Sequence, residues 1–176
     1  ASTPTTGGAI RIVDGVTFPL TAAGIQMAID DLPNKGGRVL VSADSIVFGV
    51  STLLINKPNV TLEGAGGRAT VFTYSGTGRF ISIGVDDGDH AGNIEGYDNG
   101  VSNVTIRGIR LLGPGKASTA TCITDWEGGS NTLEDLDIQN WGIGYFGVGA
   151  DVNYVKACYF QACGIGTHLG SRSDQT

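Results

Sequence analysis

The sequence predicts an all-β fold: a stack of parallel β-coils, closed near its N-terminus by one α-helix. Three observations carry this expectation. One phrase returns with a fixed period, short apolar runs alternate with polar residues between Gly, Asn, Asp and Ser punctuation, and a single amphipathic segment breaks that alternation.

The phrase from Leu133 to Gly144 returns 22 positions later, from Val155 to Gly166, with Leu136 matched by Cys158, Ile138 by Phe160, Gln139 by Gln161 and Gly142 by Gly164. Ile106-Arg107-Gly108-Ile109-Arg110-Leu111 has the same apolar spacing 27 positions before Leu133, so that coil carries extra loop residues. Asn59-Val60-Thr61-Leu62-Glu63-Gly64 matches Asn103 to Gly108 at an offset of 44, read as two coils of 22, and Val39-Leu40-Val41 precedes Val60-Thr61-Leu62 by 21. Between the copies lie apolar runs at Ser45 to Phe48, Ser51 to Ile55, Thr70 to Tyr74, Phe80 to Ile83 and Cys122-Ile123. Side chains of a strand alternate between faces, and equivalent residues of adjacent strands sit about 4.8 Å apart. Leu133 over Val155, Leu136 over Cys158 and Ile138 over Phe160 are therefore expected to stack inward. Arg107, Glu134 and Lys156, and beside them Arg110, Asp137 and Tyr159, are expected to stack outward as solvated ladders.

The segment Thr21 to Leu32 places Ile25, Ala28, Ile29 and Leu32 on one helical stripe. Thr21 is a suitable N-cap, Leu20 can pack on Ile25, and Pro33 ends the run. A stack of coils exposes an apolar end, so this helix is expected to be its lid. No comparable signal follows the last copy, from which a longer parent or partner chains are expected to cover that end. Residues 1–16 read as an N-terminal extension and residues 17–176 as the coil domain.

Composition narrows the function classes. The 176 residues hold 17 acidic and 11 basic side chains, a net charge of −6, with no basic cluster. That disfavours nucleic acid and anionic membrane surfaces as partners. No apolar run approaches the roughly 20 residues of a membrane span. Cys122, Cys158 and Cys163 do not make a disulfide framework, and His90 and His168 stand alone, so neither a zinc site nor a cofactor is expected.

The helix containing Gly24-Ile25-Gln26-Met27-Ala28-Ile29-Asp30, then Gly36-Gly37-Arg38-Val39-Leu40-Val41, then Asn59 to Gly66 and the repeated coils resemble the pectate-lyase-like family of right-handed, single-stranded parallel β-helix (solenoid) proteins. Within that family the chain is most similar to the N-terminal part of phage tailspikes and tail-associated polysaccharide depolymerases. The Pro, Gly and Tyr stretch usual after the first strand is replaced by Ser42-Ala43-Asp44-Ser45. The resemblance implies polysaccharide recognition along the outer face, often with hydrolysis or elimination, a homotrimer, and a virion or extracellular location.

Cleavage of a glycosidic bond calls for paired carboxylates, and neighbouring coils bring acids within the required distances easily. Asp125-Trp126-Glu127-Gly128-Gly129 reads as a turn joining two acids to an aromatic platform. Asp125 and Glu127 are the candidate catalytic residues. Trp126, with Trp141 and Tyr145 one coil later, are the candidate sugar-stacking residues. The acids Asp86, Asp87, Asp89, Glu95 and Asp98 could ligate calcium, but their spacing fits no complete calcium loop, and the stretch reads as surface loop. Two functional classes follow: a polysaccharide depolymerase, either of tailspike type or as a microbial pectate-lyase-like enzyme fragment, and a non-catalytic structural or receptor-binding module of a virion spike.

Overall fold

A computed structural model of the chain describes residues 8–85, 101–126, 128–148 and 153–170. Strand β1 (Ala9–Val13) and helix α1 (Ala22–Asp30) are followed by β2 (Gly37–Val41), β3 (Asp44–Gly49), β4 (Leu53–Ile55), β5 (Val60–Gly64), β6 (Thr70–Tyr74) and β7 (Arg79–Ile83). After residue 100 come β8 (Thr105–Leu112), β9 (Thr121–Trp126), β10 (Thr132–Gln139), β11 (Ile143–Val148), β12 (Tyr154–Lys156), β13 (Tyr159–Gln161) and β14 (Ile165–Gly170). These form two parallel sheets. Sheet A joins β1, β2, β5, β8, β10 and β12, with β3, β6 and β13 extending it beyond a bend, and sheet B runs β4-β7-β9-β11-β14. Each pass of the chain therefore visits sheet A, its bent extension, and sheet B, and then starts again one strand further along.

The register makes the columns explicit. Val39, Leu62, Ile106, Leu133 and Val155 pair in sequence, and Phe72, Leu111, Ile138 and Phe160 do the same past the bend. In sheet B, Leu53, Ile81, Ile123 and Tyr145 form the inner column. Nearly all of these residues before the last pass are fully buried, and they make up the core. The outer column Glu63, Arg107, Glu134, Lys156 alternates in charge as expected, with Glu63 bonded to Arg107 at 2.9 Å and Lys156 to Glu134 at 2.9 Å.

Two offsets differ from the sequence reading. Val39 pairs with Leu62, a separation of 23 rather than 21, because Gly37 aligns with Val60. Thr61 pairs directly with Thr105, so the 44 residues between the Asn-Val-Thr copies are one pass and not two. That pass contains β6, β7 and the whole stretch up to Asn103. Strand β1 also pairs with β2 over its full length, so the stack begins within residues read as an extension.

Backbone conformation follows the same periodicity. Residues Gly36, Asn59, Asn103 and Ser130, which enter successive sheet A strands, all have positive φ, and so do Gly108, Asp135 and Ala157 at the bend. Glycine carries no Cβ penalty there, and Asn and Asp tolerate it best among the rest. Helix α1 lies against β1, β2, β3 and β4 and buries Ile25, Ala28 and Ile29 over the end of the core. Thr21 is its N-cap, with Oγ1 accepting from the Gly24 N–H at 3.1 Å.

Candidate functional site

Strand β9 decides the fate of the acid read from the sequence. Thr121–Trp126 is extended throughout and pairs with both β7 and β11, so Asp125 and Trp126 close a strand instead of forming a turn. Strand parity then places Asp125 in the inner column, between Ile83 and Gly147, and Trp126 on the outer face. The Asp125 side chain is fully buried. Its carboxylate accepts from Asn131 Nδ2 at 3.1 and 3.0 Å, from Asn153 Nδ2 at 2.8 Å and from the Tyr145 hydroxyl at 3.3 Å. Gly147 lacks the Cβ that would stand 3.0 Å from the Tyr145 hydroxyl, which leaves room for that phenol. Burial pushes the Asp125 carboxyl above its ordinary value against the pull of these donors, and burial with the neighbouring Asp125 charge pushes the Tyr145 phenol up. A carboxylate enclosed this way binds the passes to one another and is out of reach of a glycosidic bond. Glu127 and the acids Asp86, Asp87, Asp89, Glu95 and Asp98 lie outside the described residues.

Trp141 is also interior. Its indole stacks on Tyr74 and Phe80 at 5.6 and 5.5 Å, both at 16°, and Nε1 donates to the Leu111 carbonyl at 2.9 Å. A Cβ at Gly113 would stand 2.5 Å from the ring, so the glycine is what lets the indole lie flat. Neither Trp141 nor Tyr145 offers a ring face to solvent, because both sit where the chain turns inward between sheets or along the inner column. The three cysteines are free thiols, with Cys122 buried in the core and its thiol pushed up by that burial.

Trp126, although only 4% exposed, lies on the outer side of sheet B and lines a groove of about 770 Å³ there. The Arg79 guanidinium lies over its ring, 4.3 Å from the centroid, and Nε1 donates to Ser82 Oγ at 3.2 Å. Register builds the wall: Ser82 aligns with Thr124 and Thr124 with Phe146, while Arg79 aligns with Thr121 and Thr121 with Ile143. Phe146 also packs on His168 at 4.9 Å. Thr52 and Thr119 complete a lining of hydroxyls, one guanidinium and aromatic rings. Of these residues only Trp126 was visible as a candidate from sequence. Extending the period of 22 from the Leu133 phrase into sheet B would have aligned Thr124 with Phe146 and exposed the rest of the column.

Polar hydroxyls and a cation beside aromatic surface can bind a sugar, by hydrogen bonding its hydroxyls and covering its apolar ring face. Among the described residues, no group of three His, Cys, Asp or Glu side chains could hold a metal ion, and no helix is long and apolar enough to cross a membrane.

No family model matches the sequence, and no curated protein sequence matches it. Among solved structures the chain is similar to Geobacillus virus E2 ORF18, with a TM-score of 0.56 and 15% identity over 91% of this chain and 36% of that one. It is also similar to the mannuronan C-5 epimerase AlgE4 A-module of Azotobacter vinelandii, with a TM-score of 0.50 and 17% identity over 87% of this chain and 50% of the module. The chain thus spans half or less of the length of these structures, and the likeness is one of fold.

Proposed function

We propose that the two sheets are faces of a right-handed parallel β-helix that recognises a bacterial surface polysaccharide, as part of a phage tailspike-type protein, and that the glycan lies along the outer face of sheet B. The observation that carries this reading is the groove over Trp126, Arg79, Ser82 and Phe146. The two structural neighbours support it, one being a phage protein and the other a module of an enzyme named for its action on a polysaccharide. The groove lining supplies binding groups, and with Asp125 turned inward the reading favoured is recognition rather than turnover. The tailspike assignment brings with it a homotrimer on the virion or outside the cell.

Titration of mannuronan and a panel of capsular polysaccharides, followed by Trp fluorescence, tests the groove. Binding is expected, with Arg79→Ala and Phe146→Ala each weakening it about tenfold, or about 1.4 kcal/mol. Affinity unchanged in both variants would remove the groove from consideration. Parallel assays for new reducing ends and unsaturated products, in the wild type and in Glu127→Gln, separate binding from depolymerisation. Light scattering checks the trimer against a mass of one chain.

A further inference from the structure

We propose that the bent outer face of sheet A carries a second glycan groove, built for a neutral sugar unit bound through its vicinal hydroxyls; the assignment rests on reading the chain as polysaccharide-recognising. Where the strands turn at the positive-φ residues Gly108, Asp135 and Ala157, a trough opens whose lining includes Gly64, Gly66, Gly67 and Gly108. The trough has two adjoining parts, of about 570 and 450 Å³, that share Asp135 and Ala157. It crosses three passes in register, Arg110 to Asp137 to Tyr159, so at about 4.8 Å per strand it is long enough for two sugar rings.

Its polar groups fall into two sets. Arg110 Nε bonds Asp137 at 2.7 Å and Gln139 Nε2 donates to the same carboxylate at 2.7 Å, which fixes the floor. At the rim, the side chains of Arg68, Asp135 and Gln161 make no hydrogen bond or ion pair among the described residues, and Tyr159 is 59% exposed. A guanidinium and a carboxylate that face one trough without pairing offer a donor and an acceptor at once. A vicinal diol meets both, donating to Asp135 and accepting from Arg68, in charge-assisted bonds stronger than neutral ones. Gln161 can do either, and the Tyr159 ring covers the apolar face of a pyranose. The other charges of the trough are already paired, Glu63 with Arg38 and Arg107, Asp137 with Arg110 and Glu134 with Lys156, so the charges of Arg68 and Asp135 balance and the trough suits a neutral ligand.

The test uses this chain and defined probes: neutral gluco-, manno- and galacto-oligosaccharides, with mannuronan oligosaccharides as the acidic comparison, titrated by calorimetry and mapped by amide chemical shifts. A neutral probe is expected to shift the amides of Arg68, Asp135 and Tyr159. Tyr159→Ala and Arg68→Gln should each weaken it about tenfold, equal to about 1.4 kcal/mol. Gly67→Leu should block the trough, because a Cβ there meets only ordinary contacts with Asp137 and Asp135 and the backbone can accept it. Thermal unfolding of the same variants confirms that they fold. Neutral binding that is lost only with Arg79→Ala and Phe146→Ala overturns the second groove and leaves the first standing. Tighter binding of mannuronan oligosaccharides at the trough overturns the neutral assignment. Absence of oligosaccharide and polysaccharide binding at either face overturns both readings.

Discussion

Asp125 shows how one residue's parity reassigns its chemistry. Four donor contacts converge on a fully buried carboxylate, so the network is either complete or costly. Asp125→Ala would leave Asn131, Asn153 and Tyr145 without their shared acceptor, and a loss of about 3 kcal/mol in urea unfolding is expected. The pH dependence has a definite sign. Because burial raises the native carboxyl above 3.8, the native state holds this proton more tightly than the unfolded chain. The contribution of Asp125 to stability is therefore fullest below 3.8 and declines as pH rises through its native value. Asp125→Asn removes that titration while presenting an amide to donors, so it starts destabilised, and its deficit relative to wild type should shrink as pH rises from acid to neutral. A deficit that stays constant or grows would contradict this picture. Glu63 behaves oppositely: burial alone would raise it, but hydrogen bonds from Arg38 and Arg107 hold it below 4.5. Its stabilisation is present above 4.5 and is lost as pH falls through the native value.

At the scale of the element, α1 does more than cover the core. The Gln26 side-chain amide accepts from the Leu54 N–H at 2.9 Å and donates to the Leu54 carbonyl at 3.0 Å, so it imitates the neighbouring strand that β4 would otherwise have on that edge. Lys57 Nζ donates to the carbonyls of Asp30 and Leu32 at 2.6 Å and of Ile29 at 3.3 Å, at the negative end of the helix dipole. The apolar stripe and the Thr21 cap were readable in the sequence because both depend on spacing along one element. The role of Gln26 was not, because its partner is 28 residues away and any polar residue satisfies the helical pattern. Gln26→Ala is expected to cost about 2 kcal/mol, one for each edge group left unpaired. Gln26→Glu should recover less than half of this, since a carboxylate can accept from the Leu54 N–H but cannot donate to its carbonyl and is repelled by Asp30, to which the Gln26 amide donates at 2.8 Å. Equal unfolding midpoints for all three proteins would show that the edge is satisfied by solvent alone.

Across the whole molecule, the legible part of the sequence was what repeats locally. The offsets linking Leu133 to Val155, Glu134 to Lys156 and Ile138 to Phe160 are the registers observed. What was not legible was the number of passes between distant copies, since an apolar pattern marks strands without counting turns, and an offset of 44 is met equally by two short passes or by one pass with a long connection. Nor could sequence tell which aromatic lies on the outer side of its sheet, because Trp126 and Trp141 differ only in their side of a strand or corner. The stack also fixes how stability is shared. Each pass is held by the passes on either side, so a pass with one neighbour has about half the contacts of an interior one. The exposures show it: Leu133 is buried whereas Val155, its partner one pass later, is 43% exposed, Ile143 is half-buried whereas its partner Ile165 is 46% exposed, and β12, β13 and β14 each pair on one side only among the described residues. At the other end α1 substitutes for a neighbour. Amide exchange followed by mass spectrometry is therefore expected to be fastest in β12 to β14, slower in β1 and β2, and slowest in β8 to β11. Ile138→Ala should accelerate β13 more than β6, because Phe160 loses its one covering neighbour in sheet A whereas Phe72 keeps Leu111 on one side and Ile46 on the other. Uniform exchange across the passes, or a response to Ile138→Ala spread evenly through both sheets, would mean that the molecule opens as one unit and that the stacking does not set its local stability.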